Sequence, residues 1–254
     1  MAARAAALVT GAGKRLGRAF ALALAGAGFP VIVHARRADA AAEETRALIE
    51  QAGGRAAVVA ADLSDRSAVE ALMGRAAEPF GPLGLLLNSA SVFHDDRVGG
   101  LTPEGWDLHM AANLYAPVML AQAFAAQAER LPEGADPLIV NILDQRVLKP
   151  NPQFFSYSVT KAALHWATTT LAQALAPRIR VNGIGPGPTL PNAMQTPETF
   201  AAEASATLLG HGPAPADLCQ ALLYLVDARA VTGQMIAVDG GQHLNWRTAD
   251  IEDA

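Results

Sequence analysis

Tyr157 and Lys161 bound the run Tyr157-Ser158-Val159-Thr160-Lys161, and a spacing of four sets a phenol and an ammonium one turn apart on one helical face. A cation at that distance favours the phenolate, which predicts a lowered tyrosine pKa and a better proton donor near neutral pH. Such pairs also arise by chance on helix surfaces. This one gains weight from a motif far upstream, Thr10-Gly11-Ala12-Gly13-Lys14-Arg15-Leu16-Gly17. Glycines at a strand-to-helix turn let backbone N–H groups close on a pyrophosphate, with the helix N-terminus facing it. The spacing is T-G-x-x-x-R-x-G and not G-x-G-x-x-G, and the planar fork of Arg15 could pair with a phosphate directly.

A third run, Val31-Ile32-Val33-His34-Ala35-Arg36-Arg37, ends in two arginines, with no carboxylate before Asp39. Dinucleotide folds that take a ribose 2′-hydroxyl place an acid at the end of this strand. Two guanidiniums point instead to a 2′-phosphate, although a solvated lead-in to the next helix would look the same. Together the motifs predict the phosphorylated dinucleotide NADP(H) beside a Tyr–Lys proton donor.

These residues need a scaffold, and the hydropathy pattern describes one. Apolar runs at Ala5–Thr10, Val31–Ala35, Ala56–Ala60, Leu83–Asn88, Leu138–Leu143, Arg178–Asn182 and Met235–Val238 predict strands buried on both faces. Between them, Arg15–Ala27, Ala38–Ala52, Asp65–Pro79, Thr102–Arg130, Tyr157–Ala176 and Pro215–Asp227 predict helices. The alternation predicts right-handed βαβ units in a doubly wound α/β domain of Rossmann type: a seven-stranded, mostly parallel sheet flanked by helices. No linker, repeat or charge block divides residues 1–254, so one domain is expected. The stretch about 186–215 is rich in Pro, Thr and Gly and too long for an ordinary connection. It is a candidate substrate-covering loop, or else a surface excursion without a role.

Composition narrows the classes of function. The 254 residues carry 19 Lys+Arg against 24 Asp+Glu, a net charge of −5, so there is no basic footprint for nucleic acid. Hydrophobic residues at 51% against charged ones at 17% exclude a disordered chain. Cys219 is the only cysteine, which excludes an intrachain disulfide and a thiolate zinc cluster. The uncharged stretch Ala19–Ala35 approaches membrane-span length but is broken by Gly26, Gly28 and Pro30. Met1–Thr10 has an apolar run, but Lys14 and Arg15 follow where a cleavage site would be needed. No membrane segment and a cytoplasmic location are expected. The histidines form no pair with metal-ligand spacing, and His94-Asp95-Asp96 reads as a polar loop, so no metal is expected. No Gly-x-Ser-x-Gly elbow or Cys–His pair supports nucleophilic hydrolysis. Trp106, Trp166 and Trp246 read as packing residues.

Taken in order, these motifs make the chain similar to the short-chain dehydrogenase/reductase family over essentially its whole length. The resemblance is carried by the Thr10–Gly17 turn, Asp62-Leu63 after the third strand, and Asn88-Ser89-Ala90 after the fourth. It continues with Asn113 in the long helix, Tyr157 with Lys161, and Pro186-Gly187 after the sixth strand. It implies hydride transfer with NAD(P), with Tyr157 as proton donor, Lys161 on the nicotinamide ribose, and Asn113 supporting a proton-relay water. It further implies cofactor contacts from Gly11, Arg15, Leu16, Gly17, His34, Arg36 and Arg37, then Asp62, Leu63, Asn88, Ala90 and Ser91, and finally Tyr157, Lys161, Pro186, Gly187 and Thr189. A homotetramer is implied as well. The apolar stripe Leu164, Ala167, Leu171, Ala174 and Leu175 suits an interface or the core equally.

Two departures from the general pattern are informative. The usual Asn-Asn-Ala-Gly segment reads Asn88-Ser89-Ala90-Ser91, and the usual catalytic serine, thirteen residues before the tyrosine, is Asp144. Pteridine reductases, and the similar bacterial dihydromonapterin reductases, share an arginine in the glycine turn and often an aspartate in the serine's place. They also resemble the run Asn88-Ser89-Ala90-Ser91-Val92-Phe93. This narrower resemblance implies reduction of a small-molecule pterin contacted by Ser91, Phe93, Asp144 and Tyr157. A flat, electron-poor pterin would stack between the nicotinamide and Phe93. Asp144 would accept hydrogen bonds from its N–H groups and, opposing Lys161, would keep Tyr157 protonated. Plainer readings stand beside these: Phe93 as a core aromatic, Asp144 as a turn cap. A generic carbonyl or ketoacyl-type reductase and a non-catalytic NADPH-sensing regulator are the alternative functions.

Overall fold

The computed structural model describes residues 4–246, so the outer ends of the expected 1–254 domain, including Met1 of the N-terminal apolar run, lie outside the described residues. Seven strands form one sheet: β1 (Ala6–Val9), β2 (Val31–Ala35), β3 (Ala56–Ala60), β4 (Leu83–Asn88), β5 (Leu138–Ile142), β6 (Arg180–Pro186) and β7 (Met235–Val238). The helices are α1 (Arg15–Gly26), α2 (Ala40–Gln51), α3 (Arg66–Ala77), α4 (Pro103–Met110), α5 (Ala116–Ala128), α6 (Phe155–Leu175), α7 (Pro197–Ser205) and α8 (Pro215–Asp227). The strand order is β3-β2-β1-β4-β5-β6-β7, and every neighbouring pair is parallel. The chain begins at mid-sheet, builds outwards through β3, then returns to build the other half. β1 and β4 are therefore neighbours whose connections leave in opposite directions, and a crevice opens beyond their carboxyl ends.

Alternation along the buried strands makes the two packing layers. Ala7 and Val9 pack in one layer with Phe20 and Leu24 of α1, Ile49 of α2 and Leu222 of α8. Ala6 and Leu8 pack in the other with Leu72 of α3, Leu120 and Phe124 of α5 and Ala172 of α6. Successive side chains point to opposite faces, so an uninterrupted apolar strand serves both layers. Each fully buried Phe or Leu contributes roughly 1.5–3 kcal/mol.

Several elements depart from the sequence reading. β6 runs Arg180–Pro186 and not Arg178–Asn182. Gly183 and Gly185 extend it because the side chains of Leu143 and Met235 fill the space a Cβ would need. The expected helix Thr102–Arg130 is α4, a π-helical turn over Ala111–Tyr115, and α5. Pro117 has no N–H for the carbonyl of Asn113, and the Ala116 N–H reaches back five residues to Ala111. The stretch about 186–215 contains α7, opened by the Thr196 hydroxyl accepting from the Thr199 N–H, with Pro197 in the first turn. Trp166 and Trp246, expected to be packing residues, are largely exposed. Among the described residues, no helix is long and apolar enough to cross a membrane.

Candidate active site

A cleft of about 1270 Å³ lies at the carboxyl ends of the strands, and every expected site residue borders it except Asn88 and Asn113. Its floor is the glycine turn. Gly11 has φ +68, and a Cβ on Gly17 would collide with the Gly11 carbonyl, so both positions require glycine. The Gly11 N–H donates to His34 Nδ1 (3.2 Å), and the opposite nitrogen, Nε2, donates to the Ala61 carbonyl (3.0 Å). His34 is 2% exposed, and burial pushes its pKa down to about 4. This histidine therefore acts as a neutral buttress joining the turn to the residue after β3. The Thr10 hydroxyl accepts from the N–H groups of Ser89 and Ala90 (2.9 and 3.0 Å), fixing the loop after β4 to the same turn.

Charge around this floor suits an anion. No side chain caps the N-terminus of α1, and no acid sits in its first turn. Its exposed N–H groups and dipole therefore favour negative charge. Asp39, the nearest carboxylate after β2, is occupied in capping α2 through the Ala42 N–H (3.0 Å). Arg36 and Arg37 are both exposed, and Arg36 Nε donates to Asp62 Oδ2 (2.8 Å). The Ser64 hydroxyl and N–H, with Arg36, hold the Asp62 carboxyl below its ordinary range. Arg15, at φ +54, donates to the carbonyls of Pro191 (2.9 Å) and Leu190 (3.4 Å), reaching across the cleft into the stretch about 186–215. Thr189 donates to the Gly187 carbonyl (3.1 Å) at the root of that stretch.

The two residues away from the cleft wall hold it from behind. Asn88 donates to its register partner Asn141 (2.8 Å) between β4 and β5, so its side chain is inside the sheet. Asn113, 1% exposed, accepts from the Val92 N–H (2.8 Å) and donates to the Val92 carbonyl (2.9 Å). It thereby clamps the residue next to Phe93.

At the centre, Tyr157 Oη donates to Asp144 Oδ2 at 2.7 Å. Asp144 Oδ1 accepts from the Arg146 N–H at 2.9 Å, so this carboxylate is at once a turn cap and the tyrosine's partner. Lys161 Nζ donates to the Ile142 carbonyl (2.8 Å) and lies 5.6 Å from the Tyr157 ring centroid. The expected lowering of the tyrosine pKa does not occur. Burial, then the charge and hydrogen bond of Asp144, hold the phenol well above its ordinary value. Burial also raises Asp144 above the usual carboxylate range and pushes Lys161 down to about 8. The proton thus stays on the phenol.

Aromatic side chains form the adjoining wall. Phe93 stacks on Phe154 at 4.2 Å between centroids and 17° between planes, and meets Tyr157 edge-on at 4.7 Å. The Arg146 guanidinium lies 5.0 Å over the other partner, Phe154. Phe154 has φ +52, a strained conformation for an aromatic residue, held immediately before α6. Sequence reasoning missed Phe154 and Arg146; neither stands in a spacing that signals its position. Asp96 lies in the polar loop expected at His94-Asp95-Asp96. From there it caps α6, its carbonyl accepting from Phe155 N–H (3.1 Å) and its carboxylate from Ser156 N–H (3.0 Å) and the Ser156 hydroxyl. His109 Nε2 accepts from the His94 N–H (3.2 Å), which leaves Nδ1 to donate to the Ser156 hydroxyl. This chain ties the Phe93 loop to the first turn of the helix carrying Tyr157.

Known proteins share this architecture. The family model described as Enoyl-(Acyl carrier protein) reductase matches residues 11–243. The structure of FolM alternative dihydrofolate reductase 1 from Brucella canis, complexed with NADP, is 48% identical, with a TM-score of 0.93 and 99% of both chains covered. That of the angucycline C-6 ketoreductase LanV, with bound NADP, is 32% identical at a TM-score of 0.87, covering 95% of this chain and 96% of that one. The 3β-hydroxysteroid dehydrogenase 1 of Eggerthella lenta is 33% identical over 244 residues, 93% of each chain. With a seven-stranded parallel sheet, a glycine turn at its switch point and a buried Tyr157–Lys161 pair beside it, the chain belongs to the short-chain dehydrogenase/reductase family of oxidoreductases.

Proposed function

We propose that this chain is an NADP(H)-dependent reductase of a pteridine, of the dihydropterin or dihydrofolate type. The observation carrying the reading is the 2.7 Å hydrogen bond from Tyr157 to Asp144, a carboxylate standing where the general family has serine. The 48% identity to FolM alternative dihydrofolate reductase 1 across 99% of both chains supports it.

The residues present fit the cofactor: an uncapped α1, two arginines after β2, and no free carboxylate between them and Asp39. Gly11, Leu16 and Gly17 would hold the pyrophosphate, with Arg15 keeping one carbonyl and turning the rest of its fork to phosphate. Arg36 and Arg37 would hold the 2′-phosphate, which competes with Asp62 for Arg36. The exposed Arg36–Asp62 pair is worth about 0–1 kcal/mol, and a charge-assisted bond to phosphate about 1.5–3 kcal/mol, so the phosphate wins. Asp62 and Leu63 would border the adenine. Ala90, Ser91, Lys161, Pro186, Gly187 and Thr189 would border the nicotinamide half. When bound, the nicotinamide supplies a hydride.

The chain's own residues then bind, orient and protonate. Phe93, backed by Phe154, presents an aromatic surface to a flat heterocycle. Asp144 accepts from substrate N–H groups with the lone pairs left by Arg146 and Tyr157. Tyr157 holds its proton until the substrate atom becomes basic, then donates it. Lys161, pushed down to about 8 and so still mostly protonated at neutral pH, offsets the charge left on the phenol. Asn113 acts from behind by fixing Val92. A second reading, reduction of a carbonyl compound, is favoured by the likeness to LanV and to the steroid dehydrogenase.

Asp144→Ser separates the two. It removes the pterin's acceptor and restores the serine of ordinary relatives, so pterin turnover should fall while ketone turnover holds or rises. Loss of both together, or of neither, sinks the pteridine reading. A homotetramer is the expected assembly, supported by Trp166 lying 70% exposed on the outer side of α6. Sedimentation as a stable monomer would refute it.

A further inference from the structure

Two buried side-chain oxygens have no hydrogen-bond partner among the described residues, Asn88 Oδ1 and Gln145 Oε1. Asn88 lies inside the sheet, but Gln145 borders the cleft, next to Asp144 and 6% exposed. It also borders a side cavity of about 220 Å³, whose walls include Lys149, Asn151, Glu203 and Gln242. Gln145 thus stands on the partition between the two spaces. A buried amide oxygen left unpaired is costly, and folded proteins leave few of them. An apolar residue of the same length would fill the position without that cost. Among the described residues the amide oxygen has no partner, and the residue that carries it borders the space a ligand would enter.

We propose that Gln145 is a specificity-determining residue that reads the polar edge of the substrate beside Asp144. The inference rests on the pteridine reading and extends it from one anchoring residue to two. Asp144, ionised, only accepts hydrogen bonds; an amide brings one acceptor and two donors. Together they match a heterocycle edge on which N–H donors alternate with a carbonyl or ring-nitrogen acceptor, as in an amino-oxo-diazine. A half-turn about the terminal side-chain torsion, which is broad and soft, exchanges Oε1 and Nε2, so the amide adapts to the order of groups on that edge. Substituents on the far side of the ring would find polar walls in the side cavity, where Lys149 is held by the Asn245 carbonyl (2.6 Å).

The test uses Gln145→Met and Gln145→Leu, which keep bulk and remove the amide, with NADPH oxidation followed against a dihydropterin and a simple ketone. Thermal unfolding is measured in parallel. The expected result is a pterin KM raised about tenfold, more than kcat falls, with the KM for NADPH and for the ketone held within a factor of two. The melting temperature should hold or rise, because an unpaired buried group has been removed. Unchanged pterin KM in both variants overturns the proposal, as does a lowered melting temperature with parallel losses on every substrate, which marks a structural amide. Wild-type protein that turns over the ketone and no pterin overturns the pteridine reading and this inference with it. Wild-type pterin turnover unaffected by the variants overturns this inference alone.

Discussion

His34 lets the stability of the cofactor turn be tested by pH alone. Its ring is buried neutral between two backbone groups, accepting from Gly11 N–H and donating to the Ala61 carbonyl. Protonation would turn Nδ1 into a donor facing another donor. The folded pKa is about 4, below the ordinary 6.5 of the unfolded chain, so between those values the unfolded state binds a proton that the folded state refuses. The stabilisation is therefore fully present above pH 6.5 and is lost as pH falls toward 4. At about 1.36 kcal/mol per pH unit, the interval from 6.5 to about 4 is worth about 3 kcal/mol. Whole domains are stable by about 5–15 kcal/mol, so the loss is measurable, roughly 6–12 °C in Tm for a chain of this length. The control is His34→Asn, which keeps an acceptor near Gly11 but cannot take up the proton. Carboxylates elsewhere titrate in both proteins and cancel in the difference. Urea unfolding across the window should show wild type more stable at neutral pH, then converging on the variant as pH drops. Curves that stay parallel would refute a buried neutral His34. The turn of the folded protein should be unaltered across this window, because His34 takes up no proton there until pH nears 4.

Three further outcomes are expected. Replacing Arg36 and Arg37 together with Ala should raise KM for NADPH by roughly ten- to a hundredfold or more per lost bond of about 1.5–3 kcal/mol, and leave KM for NADH nearly unchanged; equal losses for the two cofactors remove the 2′-phosphate assignment. Phe154→Gly frees the left-handed backbone, so it should melt above Phe154→Ala by about 1 kcal/mol equivalent, while both weaken pterin binding by about 0.5–1.5 kcal/mol through loss of the ring behind Phe93; equal melting of the two variants argues against strain. Asp96→Ala removes a helix cap and should cost about 0.5–2 kcal/mol of stability, with kcat reduced and NADPH affinity held; a fall in NADPH affinity as large as that in kcat would contradict its role in positioning Tyr157.

What the sequence made legible follows from the range of the forces involved. Strands buried on both faces announce themselves as unbroken apolar runs, and six of the seven were legible from hydropathy with small shifts at their ends. The sixth was misplaced because Gly183 and Gly185 look like an ending. They are there because Leu143 and Met235, distant in sequence, fill the Cβ positions. The π-helical turn at Asn113 has a local signal in Pro117, and α7 has one in Thr196-Pro197-Glu198-Thr199. The cleft residues carried by motifs, Gly11, Arg15, Leu16, Gly17, Asp144, Tyr157 and Lys161, border one space because their strands all end on one side of a parallel sheet.

The electrostatics were legible in part: the aspartate at 144 implied a phenol kept protonated, whereas the Tyr–Lys spacing alone implied the opposite, and burial decides between them. Spacing correctly put Lys161 one turn from Tyr157 but not the sign of the effect on the phenol, since a four-residue spacing says nothing about solvent. In water, the lysine would lower the tyrosine's pKa. In this cleft, Tyr157, Asp144 and Lys161 all lose water together, each moves toward its uncharged form, and the nearest charge to the phenol is the carboxylate at 2.7 Å. Exchanging serine for aspartate therefore changes more than a hydrogen-bond partner. A serine would leave the lysine as the charge nearest the tyrosine and favour early ionisation, whereas Asp144 retains the proton until a substrate atom demands it. That suits any acceptor atom that becomes basic only as it gains electron density, and burial is what makes the substitution matter.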